Sequence, residues 1–348
     1  MTHYIDGFPG RELSIDHKKY LYFGGTSYLG LQTDVEFQDL FIAKVRQYGT
    51  NYGASRKSNI RLKVFELAEQ LLADLTGCES ALTLSSGYLA GQFIAQHFNK
   101  SAYKLFYAPN THSALYNNYN KPYTSFEMLG KAITEHLSKN KEVTPVVFID
   151  SIDFDGCNYP HFEELKILPL DQTILVVDDS HGIGVIGENG SGVYKTLKKY
   201  NTKELVVCCS LGKGFGIQAG VVLGSINRVN KLQNSAFFGG ASPAAPCSLA
   251  TFIEAQSIYT SKRKQLRSNI ELFRRLVKKI NTFSFMEDHP SFGFENKDLS
   301  QYLEEHGFML TNFNYPEESS TVMSRIVLSS HHHKNDIKLL TDTINQFI

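Results

Sequence analysis

The feature that most constrains this chain is a series of short, strongly apolar runs: ESALTLSS, KLFYA, VTPVVFID, TILVVDD, ELVVCCS and AGVVLGS. Most are set apart by polar or amphipathic stretches of helix length. Strands buried on both faces read as near-continuous apolar runs, and helix-length spacers between them act as crossovers. The pattern therefore predicts an α/β fold of the βαβ type with a largely parallel sheet flanked by helices. Upstream, RLKVFELAEQLLADLTG places Val64, Leu67, Ala68, Leu71 and Leu75 at helical spacing and stops at Gly77. From about Pro246 a long helical stretch begins, followed by short runs such as FSFME, FMLTNF and SRIVLSS mixed with helical segments, which read as a small α+β domain. The expected organisation is an N-terminal arm over 1–45, a large domain over 46–245, and a linking helix with a small C-terminal domain over 246–348.

The chain is 348 residues long, more than one minimal core requires, which fits one large and one smaller domain. The 35 basic residues balance the 35 acidic ones, so neither a nucleic-acid footprint nor a polybasic membrane patch is expected. No segment approaches the roughly 20 apolar residues of a membrane helix, and the start MTHYIDGFPGREL has no apolar signal core. Cys78, Cys157, Cys208, Cys209 and Cys247 form no C-x-x-C pair, and read as small apolar residues of a protein in a reducing cytoplasm.

In open parallel sheets ligands bind beyond the carboxyl ends of the strands, so the residues just after each apolar run carry the functional reading. After ESALTL come Ser86, Gly87 and Tyr88, at the start of a helix: either a phosphate cradle or an ordinary capped helix. After KLFYA comes His112, either a satisfied loop histidine or a platform for a flat ring. After TILVV come Asp178, Asp179 and His181. A carboxylate at a buried strand end needs a partner: a local cation, a metal with further ligands, or a pyridinium N–H. No distant cluster completes a metal site. After ELVVCCS, Lys213 lies in the turn Gly212-Lys213-Gly214, which suits either Schiff-base chemistry or a phosphate loop, although the Walker pattern is not met. Together these are the parts a pyridoxal 5′-phosphate site requires.

The chain resembles the α-oxoamine synthases, fold-type I pyridoxal-phosphate enzymes of the 8-amino-7-oxononanoate synthase type. The resemblance is carried by VVDDSHGIGVIGENGSG and SLGKGFGIQAGVVLG, supported by YLGL, SSGYLAGQ, NTHSAL and SRIVLSSHH, and it runs from about Tyr20 to the C-terminus. It implies that Asp178 pairs with the ring nitrogen, that His181 bonds the ring's phenolic oxygen and that His112 stacks on the ring. Lys213 is implied as the Schiff-base lysine and later base, with the Ser86, Gly87 and Tyr88 turn and Ser210 at the phosphate. It also implies condensation of an amino acid with an acyl-CoA to an α-amino ketone, in a homodimer. Other fold-type I reactions, amino-group transfer or aldol cleavage, share the same core, and a non-catalytic relative would have no need of a buried lysine.

The chain also departs from the family pattern. G-T-S-Y-L-G-L puts Thr26 where the family has asparagine, and IDSIDFDGC lacks the family's glutamate and serine, with Asp153 in the serine's place. In NFNYPEE, Asn314 or a neighbour stands where an arginine holds the substrate carboxylate, and Arg325 matches a different arginine. The interface phosphate donors are altered in FFGGASPAAP. The cofactor machinery is retained and the substrate machinery changed, so a non-standard amino acid or acyl donor is expected. Arg56 and Lys57 read either as attractors of CoA phosphates or as surface charges. His331, His332 and His333 cannot all face one ion and read as a solvated turn.

Overall fold

A computed structural model describes residues 3–116, 121–154, 156–314 and 322–348. The chain divides into two compact units. One comprises Leu40–Asp153 and Cys157–Gln256, the other Met1–Asp39, Phe154–Gly156 and Ser257–Ile348.

The N-terminal strands are β1 (Glu12–Ile15) and β2 (Lys18–Phe23). The larger unit then contributes β3 (Ser80–Leu84), β4 (Tyr103–Tyr107), β5 (Thr144–Asp150), β6 (Ile174–Asp178), β7 (Glu204–Ser210) and β8 (Gly220–Gly224). They form one sheet in the order β3-β8-β7-β6-β5-β4. Strands β4 to β7 run parallel, and β8 is antiparallel to both of its neighbours. The apolar runs become strands because helices cover them: Val146, Val147, Phe148 and Ile149 of β5 and Val176 and Val177 of β6 are fully buried. Helix α1 spans Val35–Tyr48, α2 Lys63–Thr76 and α3 Gly87–Phe98. Phe93, Ile94 and Phe98 of α3 join Val206 and Val222 in the core, which holds the start of α3 beside the end of β7. Burying about three such side chains contributes roughly 5–9 kcal/mol before entropy is counted.

Arg56 belongs to this core and not to the surface. Its guanidinium forks onto Glu69 (2.8 and 3.0 Å), donates to Thr83 and lies 4.1 Å over the Phe65 ring. Lys57 Nζ donates to the carbonyls of Asn234 and Ser235 at 3.1 and 3.2 Å. Arg56 thus has a structural role in the core, while Lys57 stays at the exposed surface.

In the other unit, β9 (Ser284–Phe285), β10 (Ser291–Phe294), β11 (Phe308–Asn314) and β12 (Val322–Val327) complete a second sheet of order β1-β2-β11-β12-β10-β9. The N-terminal arm joins it through parallel pairing of β2 with β11, so this unit is the small α+β domain. His331–His333 do form the turn before the last helix, but of the three only His333 is exposed. His332 is 1 % exposed, stacks on Phe23 with centroids 4.0 Å apart, and its Nε2 stands 2.8 Å from the Tyr22 carbonyl. Burial lowers its pKa to about 4, and that of His331 to about 3. His333 caps the last helix, Lys334–Phe347. The turn folds back on β2, a neighbour remote in the chain. No helix among the described residues is long and apolar enough to cross a membrane.

Candidate active site

The carboxyl ends of β5, β6 and β7, the loop after β4 and the start of α3 all belong to the larger unit. Ser86 caps α3 in extended backbone (φ −157°), its hydroxyl accepting the Leu89 N–H at 3.1 Å. The next residue must be glycine. A Cβ on Gly87 would stand 2.5 Å from Ser210 Cβ and 2.6 Å from Ser210 Cα. The first turn of α3, whose leading N–H groups have no carbonyl one turn back, is thereby pressed against the end of β7. Ser210 Oγ accepts the Gly212 N–H at 3.3 Å and keeps its own proton to donate. Tyr88 directs an exposed side chain outward, so only its backbone faces this corner.

Lys213 follows in the turn after β7, fixed by Leu211 N–H to Ala219 O (2.9 Å) and Phe215 N–H to Leu211 O (3.1 Å). Its Nζ stands 2.7 Å from His181 Nε2. His181 comes from the loop after β6, and that loop is tied to β7 by Ser210 N–H donating to Ser180 Oγ at 2.8 Å. Asp178 ends β6 and accepts the Ser180 N–H at 2.8 Å. His112 sits where Thr111 locks the loop after β4, its hydroxyl donating to Ala108 O (2.7 Å) and Phe148 O (3.0 Å). His112 Nδ1 accepts the Ala114 N–H at 3.1 Å, so a neutral ring carries its proton on Nε2. Burial lowers its pKa and Lys213 lowers it further, while Asp178 opposes both. His112, Asp178, His181 and Lys213 therefore converge, with Gly87 and Ser210 in contact at the neighbouring corner.

The two adjacent aspartates have different tasks. Successive strand residues point to opposite faces. Asp179 turns inward, 1 % exposed, accepting the Ser151 hydroxyl at 2.6 Å and the Val193 N–H at 3.0 Å. Burial, helped by the field of Asp178, raises its pKa to about 7. A Cβ on Gly182 or Gly192 would overlap this carboxylate, so the glycines of GIGVIGENGSG are what let the loop wrap it. Asp179 thus serves the fold by capping backbone, as its neighbour's place in the motif suggests.

Asp150 was not singled out by the sequence. It ends β5 in register with Asp178, and its Oδ1 accepts the His112 N–H at 3.2 Å. The signal is present in the sequence, since VVFID ends on an acid at a strand terminus. Asp153 follows it, buried. The residues of the other unit lie as follows. Thr26 is exposed after β2, Asn314 ends β11 on an exposed stretch, and the Arg325 guanidinium lies 3.7 Å over the Phe154 ring. Residues 315–318 of NYPEE, where a neighbour of Asn314 was weighed as the arginine's replacement, lie outside the described residues. Among the described residues no cluster of His, Cys, Asp and Glu could hold a metal.

The donor set suits pyridoxal phosphate: an amine and an imidazole in contact, a strand-end carboxylate, a second imidazole, and a corner where a Cβ at Gly87 has no room. No family model matches the chain. A putative 8-amino-7-oxononanoate synthase of Rippkaea orientalis is 26 % identical over 365 residues, covering 99 % of this chain and 94 % of that protein. The 8-amino-7-oxononanoate synthase of Alcanivorax borkumensis is 26 % identical over 359 residues, covering 98 % and 92 %. Among solved structures, a lysine-to-alanine variant of serine palmitoyltransferase from S. paucimobilis with bound PLP–myriocin aldimine superposes with a TM-score of 0.81 at 20 % identity, covering 99 % of this chain and 91 % of that one. The 8-amino-7-oxononanoate synthase of Francisella tularensis gives 0.71 at 20 %, covering 94 % and 97 %. These solved structures share the fold of this chain. Over nearly its whole length the chain is similar to 8-amino-7-oxononanoate synthases.

Proposed function

We propose that this chain holds pyridoxal 5′-phosphate at the carboxyl ends of β5 to β7 and condenses an amino acid with an acyl-CoA to an α-amino ketone. The observation that carries the reading is the 2.7 Å contact of Lys213 Nζ with His181 Nε2, within reach of the fields of Asp178 and His112. When bound, the cofactor supplies an electron sink for a carbanion at the amino acid's α-carbon. The chain supplies the rest. The Asp178 carboxylate would accept a hydrogen bond from the ring N–H and so keep that proton on the nitrogen. His112 offers a neutral imidazole face to the ring, and His181 donates toward the phenolic oxygen. Lys213 Nζ is the covalent attachment point, and once displaced it is the base that takes the α-proton. The N–H groups of Gly87 and Tyr88 and the Ser210 hydroxyl hold the phosphate at the positive end of α3, where Ser86 fixes the first turn.

The changed positions Thr26, Asp153 and Asn314 place the amino acid or the acyl donor outside the standard pairs. A homodimer acting in the cytoplasm completes the reading, in keeping with five free cysteines, and sedimentation of the loaded protein checks the assembly.

The experiment is to add pyridoxal phosphate, record the visible spectrum, reduce with borohydride and map the modified peptide. A band with the adduct on Lys213 is expected, and an acyl-CoA that releases free CoA only in the presence of an amino acid then identifies the reaction. Amino-group transfer to a keto acid without CoA release would overturn the acyltransfer. A Gly87→Ala variant is expected to bind the cofactor about 10- to 100-fold more weakly, the loss of one or two charge-assisted bonds. It should also lose about 1–3 kcal/mol of stability from overpacking against Ser210. Titration of the absorbance band and thermal unfolding measure the two effects, and unchanged affinity would remove α3 from the phosphate site.

A further inference from the structure

Two carboxyls stand side by side at the floor of this site. Asp150 and Asp178 are register partners on adjacent parallel strands. In such a pair the Cα atoms lie about 5 Å apart and the side chains leave the same face of the sheet. Nothing in the reaction proposed above requires two acids there, since one carboxylate is enough to hold a ring-nitrogen proton.

The surroundings of Asp150 define its state. Its Oδ1 takes the His112 N–H at 3.2 Å, and its own carbonyl takes the Asn158 side-chain amide at 2.6 Å. The charged and titratable groups around it are Asp178 from β6, Asp153 from its own loop, Lys213 from the turn after β7, and Cys208 of β7. His112 presents its backbone, with its ring kept toward the neutral form by burial. Like charges this close do not both ionise readily. Burial and the field of Asp178 push the Asp150 carboxyl well above the usual carboxylate range, against the weaker pull of the His112 N–H and Lys213.

We propose that Asp150 is the proton-carrying member of a carboxyl pair with Asp178, and that it gives up this proton as the cofactor's ring nitrogen becomes protonated against Asp178. The inference rests on the functional reading above. Its balance is simple: the O–H bond of Asp150 breaks, an N–H bond forms on the ring, and the new anion faces the new cation. Asp150 acts through Asp178 and through the His112 backbone, and is a positioning residue.

The test counts protons. Calorimetric titration of the protein with pyridoxal phosphate near neutral pH, in two buffers of different ionisation enthalpy, gives the number of protons exchanged on binding. Asp150→Asn keeps an acceptor for the His112 N–H but stores no proton. Binding to it should take up about one proton more than binding to the wild-type protein, whatever the cofactor's own protonation in solution. Equal counts would overturn the pair. An infrared difference spectrum of the wild-type protein gives a second reading that needs no variant. Loss of a protonated-carboxyl band on adding cofactor is expected, and no such loss would overturn the proposal. A wild-type protein that binds and forms the Lys213 adduct but shows equal counts defeats only the pair. Failure to bind at all defeats the functional reading and the pair with it.

Discussion

Lys213→Ala is expected to abolish the borohydride-stable adduct and to lower turnover by at least about 10³-fold, because one amine serves both as attachment point and as base. General-base catalysis alone is worth about 10²–10⁴, and the covalent route is lost as well. The geometry makes the effect specific. Lys213 is delivered by a turn bonded on both sides, and its Nζ already meets His181. Cofactor affinity should fall less than turnover, because the corner formed by α3 and Ser210 remains. Trapped adduct and steady-state rate measure the two quantities independently. An adduct of wild-type yield on another lysine would displace Lys213 from its role.

The second large effect concerns stability and its pH dependence. The Asp179 carboxyl ionises near pH 7 in the folded chain because of burial, against about 3.9 when unfolded. Between these values the folded state holds a proton that the unfolded chain has lost. Stability is therefore greatest below about pH 4 and falls as pH rises to about 7, by on the order of 4 kcal/mol from this group. The raised pKa of Asp150 pulls in the same direction.

Asp179→Asn removes one titration and keeps the bonds, since the amide oxygen accepts from Val193 N–H and the amide N–H₂ donates to Ser151 Oγ. Its unfolding free energy should match wild type within about 1 kcal/mol near pH 4 and exceed it at pH 8. Asp179→Ala leaves two buried donors without their acceptor and should be less stable than the Asn variant by about 2–4 kcal/mol. Chemical denaturation across this pH range reads all three proteins. An Asn variant with the wild-type slope would show that Asp179 is ionised throughout.

Local chemistry made part of this molecule readable in advance. Runs such as VVFID and ELVVCCS announce strands covered on both faces, because only doubly buried strands lose the apolar–polar alternation. Strand ends then pointed to Ser86, His112, Asp178, His181 and Lys213, because ligands of a parallel sheet gather there, while Ser210 came only from the family resemblance. The structure puts Asp178 at the end of β6 and brings His181 and Lys213 into contact beside it, after β6 and β7. Only the tertiary structure decided matters of register and direction. Asp150 faces Asp178 because β5 pairs with β6 at one alignment, and a shift by one residue would have turned it away. Asp179 points away from the site into a loop that two glycines allow to close. Arg56 turns inward to Glu69 and His332 stacks beneath β2 on Phe23. A sequence fixes which groups are charged and where the chain must bend. Which charge meets which depends on packing between segments far apart in the chain, and here that packing set Asp150 opposite Asp178.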